Sequence, residues 1–121
     1  MVVEVGMKGG LDIIAGYTDH HARYHNCSGA DVIWERPDDR LDARIEKLLH
    51  VGNSVAQAVG VWDKARPAPP KIGHARLNLL TPGGLRFGEG PLAVLSKDKL
   101  GGPLIATAVV LMQSLIKLAK N

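Results

Sequence analysis

The sequence predicts an α+β fold: a five-stranded antiparallel sheet in the order βββ-α-ββ-α, its helices packed on one face. Three observations lead there. Residues 11–35 hold three short runs in which apolar and polar residues alternate, separated by turn-forming segments. Residues 38–60 carry apolar side chains at helical spacing instead. Residues 74–89 return to alternation on either side of Thr81-Pro82-Gly83-Gly84, and a second helical stretch follows.

In the first run Leu11, Ile13, Ala15 and Tyr17 alternate with Asp12, Ile14 and Gly16, and residues 18–21 are polar enough to turn. Ala22 and Tyr24 then alternate with Arg23 and His25, Cys27-Ser28-Gly29 turns again, and residues 31–35 form a third short strand. The period changes at Pro37. Asp38 or Asp39 is placed to cap a helix whose apolar stripe is Leu41, Ile45, Leu48, Val55 and Val59, with a kink expected at Gly52-Asn53 and a stop at Gly60.

Arg66-Pro67-Ala68-Pro69-Pro70 can neither extend a helix nor join a central strand, so residues 62–71 read as an extended crossing. Beyond it Ala75, Leu77 and Leu79 face one way and His74, Arg76 and Asn78 the other. Proline and glycine preset the next turn, and Leu85 and Phe87 share a face of the returning strand. A short helix is expected from Gly90-Pro91 to about Asp98. Gly101-Gly102-Pro103 then starts a last helix that is apolar around most of its circumference.

Hydrophobic residues make up 45% of the chain and charged residues 22%, a balance that fits one core and excludes intrinsic disorder. A single domain over residues 1–121 is expected, because two independent cores do not fit this length. The net charge of +3 is uneven: residues 1–35 carry two basic against five acidic side chains, and residues 67–121 seven against two. The basic residues of the last part form no run and are not interleaved with aromatics, so nucleic-acid binding is not expected. One cysteine, Cys27, excludes an intramolecular disulfide and the paired-cysteine zinc patterns. Residues 1–10 lack the signature of a secretory signal, and the strongly apolar residues 104–116 are too few to span a bilayer. A cytoplasmic protein without membrane attachment is the expectation.

The segment Asp19-His20-His21-x-Arg23-x-His25-x-Cys27 is the most suggestive chemically. Along an extended strand His21, Arg23, His25 and Cys27 project from one face. Imidazole and thiolate suit zinc or copper, so His21, His25 and Cys27 are the candidate metal ligands, with Asp19 or His20 completing the shell. Arg23 in the middle of that face counts against a site, and a wet sheet face explains the same residues. Cys27 as a nucleophile would need His25 as its base. The glycines at 83, 84, 88 and 90 match neither a P-loop nor a dinucleotide fingerprint. Gly101-Gly102 beside Lys97 and Lys99 is a possible anion site or simply a turn. Asp38, Asp39, Asp42 and Glu46 read as an acidic helix start interleaved with Arg40 and Arg44. No residue set reads as an active site, and no cofactor is implied.

In element order alone the chain resembles profilin/roadblock-type sheets, or type III secretion chaperones without their first helix. No sequence motif of either family is present, and such a likeness carries no function. The last helix is more apolar than a helix resting on one sheet requires. Its surplus points to self-association through Leu104, Ala108, Leu111, Met112 and Leu115. The expected function is therefore a small interaction module, a non-catalytic homodimer with a protein partner possible. The alternatives are a metal sensor or enzyme on the first hairpin, and a small-ligand sensor with a pocket around Tyr24, Trp34 and Phe87.

Overall fold

Six strands, not five, form the sheet in the computed structural model, which describes residues 1–35, 39–59, 61, 62 and 68–119. The additional strand is β1 (Val2–Met7), followed by β2 (Gly10–Gly16), β3 (Ala22–His25) and β4 (Asp31–Trp34). Then come helix α1 (Asp42–Ala58), strands β5 (His74–Thr81) and β6 (Gly84–Pro91), the one-turn helix α2 (Leu92–Leu95) and helix α3 (Gly101–Ala119). The spatial order is β4-β3-β2-β1-β5-β6 with every neighbouring pair antiparallel. β1 escapes a search for alternation because it is central. Val3 and Glu4 point to opposite faces, yet both are buried, and a strand covered on both sides has no wet face to mark with polar residues.

Register assigns the faces. Val3 stands between Ile14 and Leu77, and Tyr24 between Ile14 and Val32. These side chains meet Ile45, Leu48 and Val55 of α1 and Leu104, Leu111 and Leu115 of α3 in one core. α1 runs unbroken through Gly52, where a kink was expected. A Cβ there would lie 3.1 Å from the Met1 sulfur and 3.3 Å from a Leu79 methyl, so the glycine lets the helix close on the sheet. The expected Asp39 cap is also corrected. The helix begins after Leu41 with no side-chain cap, and Asp39 accepts the Asp42 N–H through its backbone carbonyl. Leu41, 3% exposed, anchors this end by burial. The other end is closed by Arg86 of β6, whose guanidinium donates to the Ala56 and Val59 carbonyls at 3.0 and 2.8 Å, a cation at a helix C-terminus. The expected Asp38 cap, the Gly60 stop and Arg66-Pro67 lie outside the described residues.

The second face of the sheet is not bare. Trp62 packs edge-to-face on Phe87 at 4.9 Å, and its backbone N–H donates to the Leu85 carbonyl. Val61 forms a bridge with Arg86, so the outer edge of β6 is partly occupied. Farther on, the Ala68 carbonyl accepts from Arg76, Pro70 is buried, and Ile72 bridges to Gly6 at the end of β1. Any Cβ at Gly6 would overlap the Lys71 carbonyl, which is why this close approach needs glycine.

α2 is shorter than the helix the sequence predicts, and Asp98 serves α3 instead. Its carboxylate accepts the N–H groups of Leu100 and Gly101 at 2.9 and 2.8 Å. Those two bonds hold the Asp98 carboxyl below its ordinary pKa. The Gly101-Gly102 turn considered for an anion therefore already directs its leading N–H at a carboxylate of this chain. α3, at 19 residues, is long and apolar enough to cross a membrane by length and composition, which residues 104–116 alone are not. A core helix passes the same test, and one face of α3 is core.

Candidate functional site

The three candidate metal ligands are not brought together. His21 Nδ1 lies 2.8 Å from the Asp19 carboxylate, and His25 Nδ1 lies 2.8 Å from that of Asp31. His21 immediately precedes the four-residue strand β3 and His25 ends it, so their backbones are about 13 Å apart at the usual rise. Cys27 lies beyond the strand in the Asn26–Gly29 turn, where alternation no longer sets direction, and its N–H donates to Asp12 at 2.8 Å. Among the described residues no group of three or more His, Cys, Asp or Glu side chains could hold a metal ion. His20 instead ties the β2–β3 turn to α1, with its Nε2 2.7 Å from Glu46 and its Nδ1 3.8 Å from Asp42. That pairing supports a left-handed backbone at His20, φ 66°.

Asp31 accepts from His25 and from Arg23, the latter at 3.3 Å. The His25 bond first, then the Arg23 charge, lower its pKa below the ordinary 3.8. A carboxyl with a depressed folded-state pKa contributes stability that is present above the ordinary value and lost as pH falls through the folded one. The stability difference between the wild type and Asp31→Asn is therefore expected to hold near pH 5 and to fade on acidification below about 4. Urea titrations across that window test it. A difference that grows on acidification contradicts the assignment.

The pocket expected around Tyr24, Trp34 and Phe87 does not form. Tyr24 and Trp34 are buried on the helix-bearing face. Phe87, paired with Asn78, has the opposite parity and faces the other way. The candidate interface set is likewise corrected. Leu104, Ala108, Leu111 and Leu115 are at most 1% exposed inside this chain's own core, and only Met112 of the five is half-buried. One apolar stripe of α3 is consumed by α1 and the sheet together.

What the sequence reading missed is a buried polar cluster on the second face. Glu4, Arg76 and Asn78, on the adjacent central strands β1 and β5, are 7%, 2% and 4% exposed. Register sets Glu4 directly opposite Arg76. Arg76 reaches Glu89 of β6 through both Nε, at 2.7 Å, and a terminal nitrogen, at 2.6 Å, the two donors converging on one carboxylate oxygen, Oε1. It also lies over the Phe87 ring, 5.4 Å from the centroid. The Asn78 amide donates to Glu4 at 2.7 Å and to the Val2 carbonyl at 3.2 Å. Alternation alone puts Arg76 and Asn78 on the polar face, but it cannot say that the chain around residue 68 covers that face.

Beside this cluster, where β1 begins, a cleft of about 330 Å³ opens between the ends of β2 and β5. Its walls are Met1, Val2, Tyr17, Thr18, Leu49, Asn78, Leu80 and Leu85. The Met1 amino group donates to the Gly16 carbonyl at 3.0 Å, and burial lowers its pKa.

These features define a class: a small α+β domain with two long helices on one face of an antiparallel sheet and a covered ionic cluster on the other. No family model matches the chain, and no curated protein and no solved structure is found to be similar to it.

Proposed function

We infer that the protein is an interaction module without chemistry of its own, and that its partner is a second copy of this chain. The observation that carries this reading is the apolar surface around the open end of the sheet. β4 ends the sheet, while the opposite edge, β6, is partly occupied by residues 61 and 62. On one side of β4 stands Ile33, 61% exposed. On the other runs a flank of α3 formed by Ile105, Val109, Met112 and Ile116, which recur at spacings of three and four. Ile116 lines a groove with Val32 and Tyr24, so this flank lies toward β3 and β4. Thr107 and Val110, beside Arg44 and Lys47, mark the flank toward α1.

An edge strand with apolar side chains above and below invites a partner that continues the sheet and covers both. A second copy meets that requirement through a two-fold axis, since each chain brings the same edge, the same isoleucine and the same helix flank. The likeness in element order to profilin/roadblock-type sheets and type III secretion chaperones remains a proposal about architecture and adds nothing to this reading.

Light scattering coupled to size exclusion is expected to give a particle of two chains. Val109→Glu, at a position 37% exposed, is expected to give a single chain with an unchanged circular dichroism spectrum. A wild-type protein that stays a single chain up to submillimolar concentration overturns the reading.

A further inference from the structure

We propose that the end of the sheet formed by the β1–β2 turn, the turn before β5 and the α2 segment docks on an anionic lipid bilayer, touching its surface without spanning it. Four of the six lysines among the described residues stand there, Lys8, Lys71, Lys97 and Lys99, and all four are exposed. Backbone contacts bring their segments together. Ile72 bridges to Gly6, the Gly73 N–H donates to the Gly6 carbonyl, and the Leu92 N–H donates to the Gly73 carbonyl. None of the four ammonium groups is paired with a carboxylate of the described residues. The carboxylates of the neighbouring turns and strands are engaged elsewhere: Asp98 by the N–H groups of Leu100 and Gly101, Glu89 by Arg76, and Asp12 by the Cys27 N–H.

The same end carries four of the ten large hydrophobic side chains that stand exposed among the described residues: Ile72 at 68%, Val94 at 63%, Leu100 at 41% and Met7 at 39%. Local structure makes them protrude. The His74 N–H donates to the Lys71 carbonyl and closes a turn in which Gly73 takes φ +79°, with Ile72 at its tip. α2 is a single turn with no buried residue, and it carries Val94. These side chains line none of the clefts described above, so the surface is one of projections and not a groove for a peptide. Aliphatic tips flanked by lysines suit a bilayer: the tips enter the acyl boundary while the ammonium groups stay among anionic headgroups. Stable attachment takes an apolar and an electrostatic signal together, and both are present here. Residues 6–10, 71–74 and 91–101 contain no Phe, Tyr or Trp, hence no stacking platform for a nucleic-acid strand. The surface belongs to the β1, β5 and β6 side of the sheet, apart from the open β4 edge, so it does not depend on self-association.

The test is co-sedimentation with vesicles of equal parts phosphatidylserine and phosphatidylcholine, against vesicles of phosphatidylcholine alone. The protein is expected to sediment with the mixed vesicles only, and added salt is expected to release it. Lys97→Gln with Lys99→Gln is expected to weaken binding about thirtyfold, near fivefold for each charge. Ile72→Ser with Val94→Ser, both at exposed positions, is expected to weaken it about tenfold with an unchanged circular dichroism spectrum. Soluble polyglutamate at equal charge concentration is expected to leave the protein on the vesicles, because it offers no apolar layer. Displacement by polyglutamate, or full binding by the serine variant, assigns the surface to an acidic protein segment instead and overturns the proposal. Equal sedimentation with both kinds of vesicle, or with neither, overturns it as well.

Discussion

Replacing Arg76 with leucine is expected to destabilise the fold by about 3–5 kcal/mol, a large part of the 5–15 kcal/mol available to a domain of this size. The loss does not come evenly from its partners. Glu89 is 35% exposed at its side chain, so water screens the charge that Arg76 leaves behind there. Glu4 is 7% exposed and stands opposite Arg76 in the register, so its carboxylate bears most of the penalty. The Ala68 carbonyl also loses its donor, which loosens the cover over the second face. Pairing Arg76→Leu with Glu4→Gln removes the buried negative charge that stands across the register from the lost guanidinium and is expected to recover a good part of the loss. Urea denaturation of the two single variants and the double variant measures this. An Arg76→Leu midpoint close to that of the wild type contradicts the account of the cluster.

Leu111→Ala is the second large effect, with an expected loss of about 2–5 kcal/mol. Leu111 is 0% exposed, between α1 and the sheet, and truncation leaves a cavity that neighbours on three sides cannot fill. Val109→Ala, two positions away on the flank assigned to the partner copy, is expected to change the stability of the separated single chain, measured at concentrations below dimer formation, by no more than about 0.5 kcal/mol. The contrast is sharper than either value alone, because both substitutions shorten an aliphatic side chain on the same helix. Equal losses would mean that α3 is rotated relative to the orientation described.

The elements legible in the sequence are those whose local pattern and tertiary setting agree. β2, β3 and β4 alternate because one of their faces is wetter than the other. The β5–β6 hairpin is written in Pro82-Gly83-Gly84, whose last glycine takes φ +125°. The stripe Ile45, Leu48 and Val55 announces α1 at its own period. β1 is the counterexample. Burial on both sides erased its alternation, and without β1 neither Glu4 nor the cleft at Met1 was visible.

The site is less legible than the fold for a related reason. His21, His25 and Cys27 share a face only while the strand continues, and β3 ends at His25. Arg76 and Asn78 carry no sign of burial in their own segment, since the cover comes from residue 68 and the carboxylates from residues 4 and 89. The apolar excess of α3 is evident from composition, but which flank is spent on the core depends on where α1 crosses it.

By itself the sequence determined the α+β class, the antiparallel pairing of consecutive strands and the helical stretches, because each follows from side-chain period and turn chemistry within a few residues. Only the tertiary structure decided the place of β1, the cover over the second face and the flank of α3 left outside. Those depend on contacts between segments as far apart as residues 4 and 78, and no local pattern encodes which distant segment excludes the water.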